Sequence, residues 1–197
     1  MAKSNLSKTA EIQIISFKSQ ARFRKWLEKN FTLTEGIWMQ IYKKDSGIAT
    51  ITYAEALDEA LCFGWIDGLK KSYDKESWIQ KFTPRRVRSK WSKINTQHVE
   101  RLMKEGKIHP SGLKAIEEAK ADGRWEQAYD GQRSMQIPDD FFIELNKNKK
   151  AKAFFETLNK TNLYSIGYRL QTAKRPETRE KRLREIIEML GKGEKFH

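Results

Sequence analysis

Three groups of residues in this sequence have types and spacings that could do chemistry. The densest is FTPRRVRSKWSKIN, residues 82–95: six bases and no acid lie between residues 77 and 99, whereas residues 45–69 hold five acids and no base. Arginine takes a carboxylate or phosphate in two parallel hydrogen bonds, and the free amides at a helix start favour the same anions. Arg85 and Arg86 as a clamp, Trp91 as an apolar wall, and Ser92 and Asn95 at a helix start therefore describe an anion site. A solvated basic loop, or a contact to nucleic acid, fits the same residues.

The second group centres on Asp67 in CFGWIDG, residues 62–68. Read as a strand, this segment points Trp65 and Asp67 to one face, between glycines that leave room for another backbone or a ligand. A carboxylate there needs a partner. An internal ion pair, a turn-forming aspartate, a ligand contact and a general base all remain open. The third group is an arginine stripe on the last predicted helix. Projected at 100° per residue, Leu183, Ile186, Ile187 and Leu190 share a direction, Arg179 falls inside that sector, and Arg175 and Arg182 lie at its edge. Arg179 should thus be half-buried and paired, with Asp67 the most economical partner, or else should line a cleft.

Other chemistry is missing from the sequence. There is no phosphate-binding glycine loop, no dinucleotide fingerprint, no zinc-protease motif and no nucleophile elbow. One cysteine, Cys62, and three scattered histidines suggest neither a disulfide nor a metal site, and no cofactor is expected. An enzyme would have to use Asp67 as its base. The formal charge of +13 admits a small anionic ligand, an acidic peptide or nucleic acid. No apolar run reaches membrane-spanning length and the start MAKSNLSK has no signal-peptide core, so a cytoplasmic protein without membrane insertion is expected.

Apolar periodicity supplies the elements that must position these groups. A helix is predicted from Ser19 to Phe31 and a strand over Ile37–Tyr42. A second helix is capped by Thr52 and Glu55, with Tyr53, Leu57, Ala60 and Leu61 as its buried stripe. A hairpin follows, with strands near Trp65–Lys70 and Trp78–Phe82. Beyond Pro84 the chain reads as helix after helix, His98 and His109 near two helix starts, and the last helix running from Pro176 to Gly191. The expected fold is α+β: a polar arm over residues 1–15, a small antiparallel sheet with helices over 16–130, and a helical C-terminal subdomain over 131–197.

Four stretches carry a resemblance: EALCFGWIDG (59–68), QKFTPRR with SKWSKIN (80–95), VERLMKEGKIHPSGL (99–113) and AKRPETREKRLREIIEML (173–190). Over about residues 16–192 the sequence resembles the YdeI/OmpD-associated, or bacteriocin-protection, family. The resemblance implies a cytoplasmic bacterial protein of stress or bacteriocin protection, with no catalytic residue to carry over. Its motif residues fall on Trp65, Asp67, Gly68, Phe82, Pro84, Arg85, Arg86, Trp91, Ser92, Asn95, Thr178, Arg179 and Arg182. The expected site is accordingly a cleft lined by Trp65, Asp67, Arg85, Arg86, Trp91, Ser92, Asn95, Arg179 and Arg182. It would take a small anionic ligand or acidic peptide, or, through residues 81–93, nucleic acid.

Overall fold

The computed structural model describes residues 12–197, so most of the polar arm expected over residues 1–15 lies outside the described residues. It divides into two compact units, one made of residues up to 89 with 97–126, the other of residues 90–96 with 127–197. In the first, the element order is β1 (Ile14–Ser16), α1 (Gln20–Asn30), β2 (Ile37–Tyr42), α2 (Tyr53–Cys62), β3 (Trp65–Ser72) and β4 (Ser77–Pro84). Helix α3 (Lys93–Lys104) follows, with the division between units falling inside it, and α4 (Pro110–Ala121) completes the first unit. The second unit carries α5 (Asp139–Asn146), α6 (Lys149–Phe155), α7 (Lys160–Gln171) and α8 (Pro176–Gly191). The α+β class holds, with one correction. The sheet is mixed rather than antiparallel, because the short apolar patch Ile14–Ser16 pairs parallel to β2. None of the described helices is long and apolar enough to cross a membrane.

Local signals explain where these elements begin. The Ser19 side chain accepts the Arg22 amide, and Thr52 and Glu55 form the reciprocal capping box. Pro110 occupies the first turn of α4, where its missing N–H costs nothing. The strand order is β1-β2-β4-β3, so β4 is central. Its partners fix two faces. Ile37 opposite Phe82, Met39 opposite Gln80 and Ile41 opposite Trp78 look one way, and Trp38 opposite Lys81 and Gln40 opposite Ile79 look the other. The first face is the core, where Phe23 and Leu27 of α1 and Ala60 and Leu61 of α2 are all fully buried. The Phe23 and Phe82 rings lie 6.0 Å apart. Glu59, also buried, is held by Gln20 Nε2 at 2.8 Å and Arg24 Nη1 at 2.9 Å, which ties α1 to α2. Burial and Glu59 push the neighbouring Cys62 thiol up to about 11, so it stays protonated and unreactive.

The hairpin carries a bulge between Asp67 and Lys70, where β3 spends three residues against two of β4. A bulge leaves carbonyls outside the ladder. The buried Gln80 side chain collects them, donating from Nε2 to Gly68 O at 2.8 Å and Leu69 O at 3.3 Å. The bulge also reverses the alternation along β3, so that Lys70 points to the core-facing side, with Nζ 4.1 Å from the Trp78 ring, and Lys71 to the opposite side.

In the second unit Phe141, Leu145, Ala151, Ile166, Leu170, Ile186 and Leu190 form the core, with Leu183 and Ile187 packed at its edge as the α8 projection required. Residues 90–96 join this unit through main-chain bonds to Tyr129, whose N–H donates to Trp91 O at 3.0 Å and whose carbonyl accepts from Lys93 N at 2.8 Å. Lys93 Nζ then pairs with Asp130 at 2.7 Å and Gln171 Nε2 donates to it at 2.6 Å, which together hold that carboxyl below its ordinary range. Two expectations give way. Tyr53, placed in the buried stripe of α2, is 37% exposed, because as the first residue of the helix it lies at the sheet's margin. His98 lies in the middle of α3 rather than at its start, with Nδ1 2.8 Å from Asp58.

The bulge gives a direct test. Replacing Gln80 by Leu leaves two carbonyls without their amide donor, so stability should fall by about 1–3 kcal/mol in urea unfolding. An unchanged midpoint would show that the side chain is dispensable to the bulge.

Candidate functional site

The residues singled out in the sequence have distinct local roles. In the first unit Trp65 is 1% exposed, its indole N–H donates to the Phe31 carbonyl at 2.9 Å, and its ring meets Trp26 edge-on at 6.0 Å; it packs as core. Asp67 receives the Tyr53 hydroxyl at 2.7 Å. Burial, and then this carboxylate, push the Tyr53 phenol above its ordinary range, so it remains the donor. The bond ties the start of α2 to β3. Arg85 is half-buried, its amide bound to Gly64 O at 3.0 Å and its Nη1 to Ser89 Oγ at 3.2 Å, while Arg86 is exposed.

In the second unit Trp91 is 1% exposed. Ser92 Oγ accepts the Asn95 amide at 3.2 Å, so this helix start is capped from within. Arg179 is half-buried as its position on α8 demanded, but the carboxylate it takes is Asp140, not Asp67. Its Nε and Nη2 reach the two Asp140 oxygens at 2.7–3.1 Å, and Nη1 donates to Leu170 O at 2.9 Å. The guanidinium thereby ties together α5, the end of α7 and α8. Arg182, one turn on, donates from Nη1 to Arg169 O at 2.7 Å and lies 3.4 Å from Thr172 Oγ1.

Around Arg182 the structure assembles a site. A cavity of about 400 Å³ is lined by Lys90, Tyr164, Ser165, Tyr168, Arg169, Thr172, Arg182 and His197. Lys90 Nζ lies 3.4 Å from the Thr172 carbonyl and 5.7 Å from the centre of the Tyr168 ring. Three cationic side chains line it, and among the described residues no carboxylate side chain does. Burial first, then the charges of Arg182 and Lys174, pull the Lys90 ammonium below the usual lysine range. Burial and Tyr168 likewise keep the Tyr164 phenol protonated. The cavity is therefore rich in donors and positive. An oxyanion entering it would relieve like-charge repulsion and accept several hydrogen bonds at once. A larger cavity of about 870 Å³ in the same unit has an apolar floor including Met135, Ile137, Phe142 and Leu163, with Arg133, Lys160 and Glu156 of mixed sign. It offers no comparable convergence of charge.

Of this site the sequence marked Arg182, and Lys90 as part of the basic run. Tyr164, Tyr168 and Thr172 were missed, although their four-residue spacing puts them on one face of α7. The stripe Leu163, Ile166 and Leu170 had drawn attention to the opposite, core-facing side. The distinct roles of Arg179 and Arg182 can be separated by mutation. With Asp140 half-exposed, Asp140→Asn should cost less than about 1 kcal/mol in thermal unfolding, the usual scale of an exposed ion pair. Arg179→Ala, which also abandons the Leu170 carbonyl, should cost more. Equal losses in the two variants would mean that the carbonyl bond contributes nothing.

Comparison with known proteins divides the chain close to the two units, except that residues 90–96 of the second unit fall inside the first match. No curated protein matches the chain, and no solved structure does. Residues 15–115 match a domain of unknown function (DUF8412), and residues 134–193 match the family described as Bacteriocin-protection, YdeI or OmpD-Associated. The resemblance drawn over residues 16–192 is thus met by that family over the C-terminal stretch. The EALCFGWIDG, QKFTPRR and SKWSKIN motifs lie in the segment matched by the other domain. Matched over just over half of its length, the chain belongs to the family of this domain of unknown function, and it carries at residues 134–193 a Bacteriocin-protection, YdeI or OmpD-Associated domain.

Proposed function

We propose that this protein binds a compact oxyanion, such as a phosphate or carboxylate group of a small ligand or acidic peptide, in the cavity around Lys90 and Arg182. That binding would serve the bacteriocin-protection role named by its C-terminal family. The observation that carries the reading is the gathering of Lys90, Arg169 and Arg182 around one cavity, in the unit that holds the bacteriocin-protection match. Tyr164 and Tyr168 supply hydroxyl donors, while the Thr172 hydroxyl is committed to the Tyr168 carbonyl at 2.7 Å, and the aromatic rings restrict the approach to a small group. Binding, rather than a reaction, is what these residues offer: donors surround the cavity, and no base is placed opposite a nucleophile.

Inorganic pyrophosphate titrated calorimetrically at low ionic strength tests the proposal. Lys90→Gln should weaken binding about 10- to 100-fold, the range for one charged hydrogen bond, and Arg86→Gln, on an exposed residue of the other unit, should leave it unchanged. Salt dependence should be shallow, as for a few contacts rather than a polyanion track. The pH dependence follows from the lysine. A bound anion raises the Lys90 pKa relative to the empty site, so below the empty-site value both states are protonated and affinity is level. Above it, binding must take up a proton, and affinity should fall by up to about tenfold per unit, starting below the ordinary lysine value of 10.5. Absence of binding at low salt, or an unaltered Lys90→Gln affinity, refutes the proposal.

A further inference from the structure

The second face of the sheet supports a separate inference. The strand registers place its side chains in rows. Ile14, Trp38 and Lys81 lie side by side across β1, β2 and β4, and the next row is Ser16, Gln40, Ile79 and Lys71 across all four strands. Tyr42 follows two residues beyond Gln40, on the same side of β2 and about 13 Å from Trp38 along the strand. These rows contain lysines and no carboxylate. Ile14 is 45% exposed and Lys71 is exposed, Trp38, Gln40 and Lys81 are half-buried, and Ile79 beside Lys71 is 8% exposed.

Trp38 is the centre of this face. Lys71 Nζ lies 5.0 Å and Lys81 Nζ 5.9 Å from its ring centre, both within reach of a cation–π attraction. Lys71 is there only because of the β3 bulge; in an unbroken register its side chain would point to the core-facing side. A half-buried indole flanked by two ammonium groups matches the alternation of a single nucleic-acid strand. A base can stack on the ring while the lysines move the few ångströms needed to meet the flanking phosphates. A folded acidic protein would use the charges and leave the ring's flat surface without a specific partner.

We propose that this sheet face is a sequence-tolerant binding surface for single-stranded nucleic acid, with Trp38 as the stacking platform and Lys71 and Lys81 as phosphate contacts. It is distinct from the oxyanion cavity of the second unit and uses none of that cavity's residues.

Fluorescence anisotropy with labelled oligo-dT and oligo-U of about 12 nucleotides, within the usual footprint of such surfaces, tests it on the full chain. Both probes should bind, and tryptophan emission should be quenched on binding. Trp38→Phe keeps an aromatic ring for folding but shrinks the platform, so it should weaken binding severalfold and remove much of the quenching. Lys71→Gln with Lys81→Gln changes only the charges on the face. It should weaken binding at least tenfold at low salt and reduce the logarithmic salt slope by about 1.4, the amount expected for two phosphate contacts on a single strand. Lys90→Gln should leave oligonucleotide binding intact. Several outcomes overturn the proposal: no binding at low salt, equal competition by poly-glutamate, an unchanged salt slope in the double-lysine variant, or a loss in Arg86→Gln as large as that in the double-lysine variant. The last result would place the contact on the 81–93 loop instead.

Discussion

The register of β4 between β2 and β3 is the constraint on which the first unit depends. Alternation along a strand has a period of two, so a slip of one residue would exchange the whole set of side chains between faces. Here it would carry buried Phe82 away from Phe23 and bring Lys81 into the core, an unpaired charge that the interior could not accommodate. The hydrophobic requirement of one face therefore determines what the other face displays. Trp38 and Lys81 are neighbours on the outside because Ile37 and Phe82 are neighbours on the inside.

The bulge adds the one departure from this rule, and it has a chemical consequence. By spending an extra residue between Asp67 and Lys70, β3 sets which face each of two consecutive lysines takes, Lys70 toward Trp78 and Lys71 toward Trp38. The irregularity is supported by Gln80, a polar side chain in a core position whose amide replaces the missing ladder donors. A buried glutamine in a central strand would otherwise be a liability of about 1–3 kcal/mol; its hydrogen bonds to Gly68 and Leu69 make it part of the sheet. The second unit handles its arginines by a comparable division. Arg179 is fully engaged by Asp140 and a helix-end carbonyl, whereas Arg182 lies on a cavity together with Lys90 and Arg169. One residue stabilises the bundle, and the other contributes to a field that an anion can neutralise.

Much of the scaffold was legible in the sequence because it rests on local rules. The Thr52–Glu55 capping box, the alternation of Ile37–Tyr42 and the Pro176–Gly191 limits of α8 each depend on residues within a turn or a strand of one another. The in-face arginine was also readable, since burial on a helix follows from its angular position. Its partner was not. Asp140 looks like an ordinary helix-start acid, favourable to the dipole of α5, and nothing local distinguishes it from Asp139. The same reason hid the bond between Tyr53 and Asp67, which depends on α2 and β3 meeting in space. β1 has only three residues, too few for alternation to declare itself. At the cavity the failure was one of weighting. The tyrosine and threonine positions of α7 have a clear four-residue period, but the apolar stripe beside them was the stronger signal and marks the opposite face.

These cases separate two kinds of charged residue that composition lumps together. A surplus of positive charge says little while each cation can be solvated, and many of the 39 lysines and arginines are of that kind. A cation becomes informative when the fold fixes its surroundings: set on a cavity beside other cations, as Lys90 is, or held against an aromatic ring by strand register, as Lys71 is. The two arrangements select different anions. A cavity of about 400 Å³ admits a compact group and rewards many short hydrogen bonds around one centre. A sheet face rewards a ligand that is flat, repeated and extended, because its donors are spaced along strands rather than gathered around a point. Size and dimensionality, more than net charge, thus distinguish the two proposed sites.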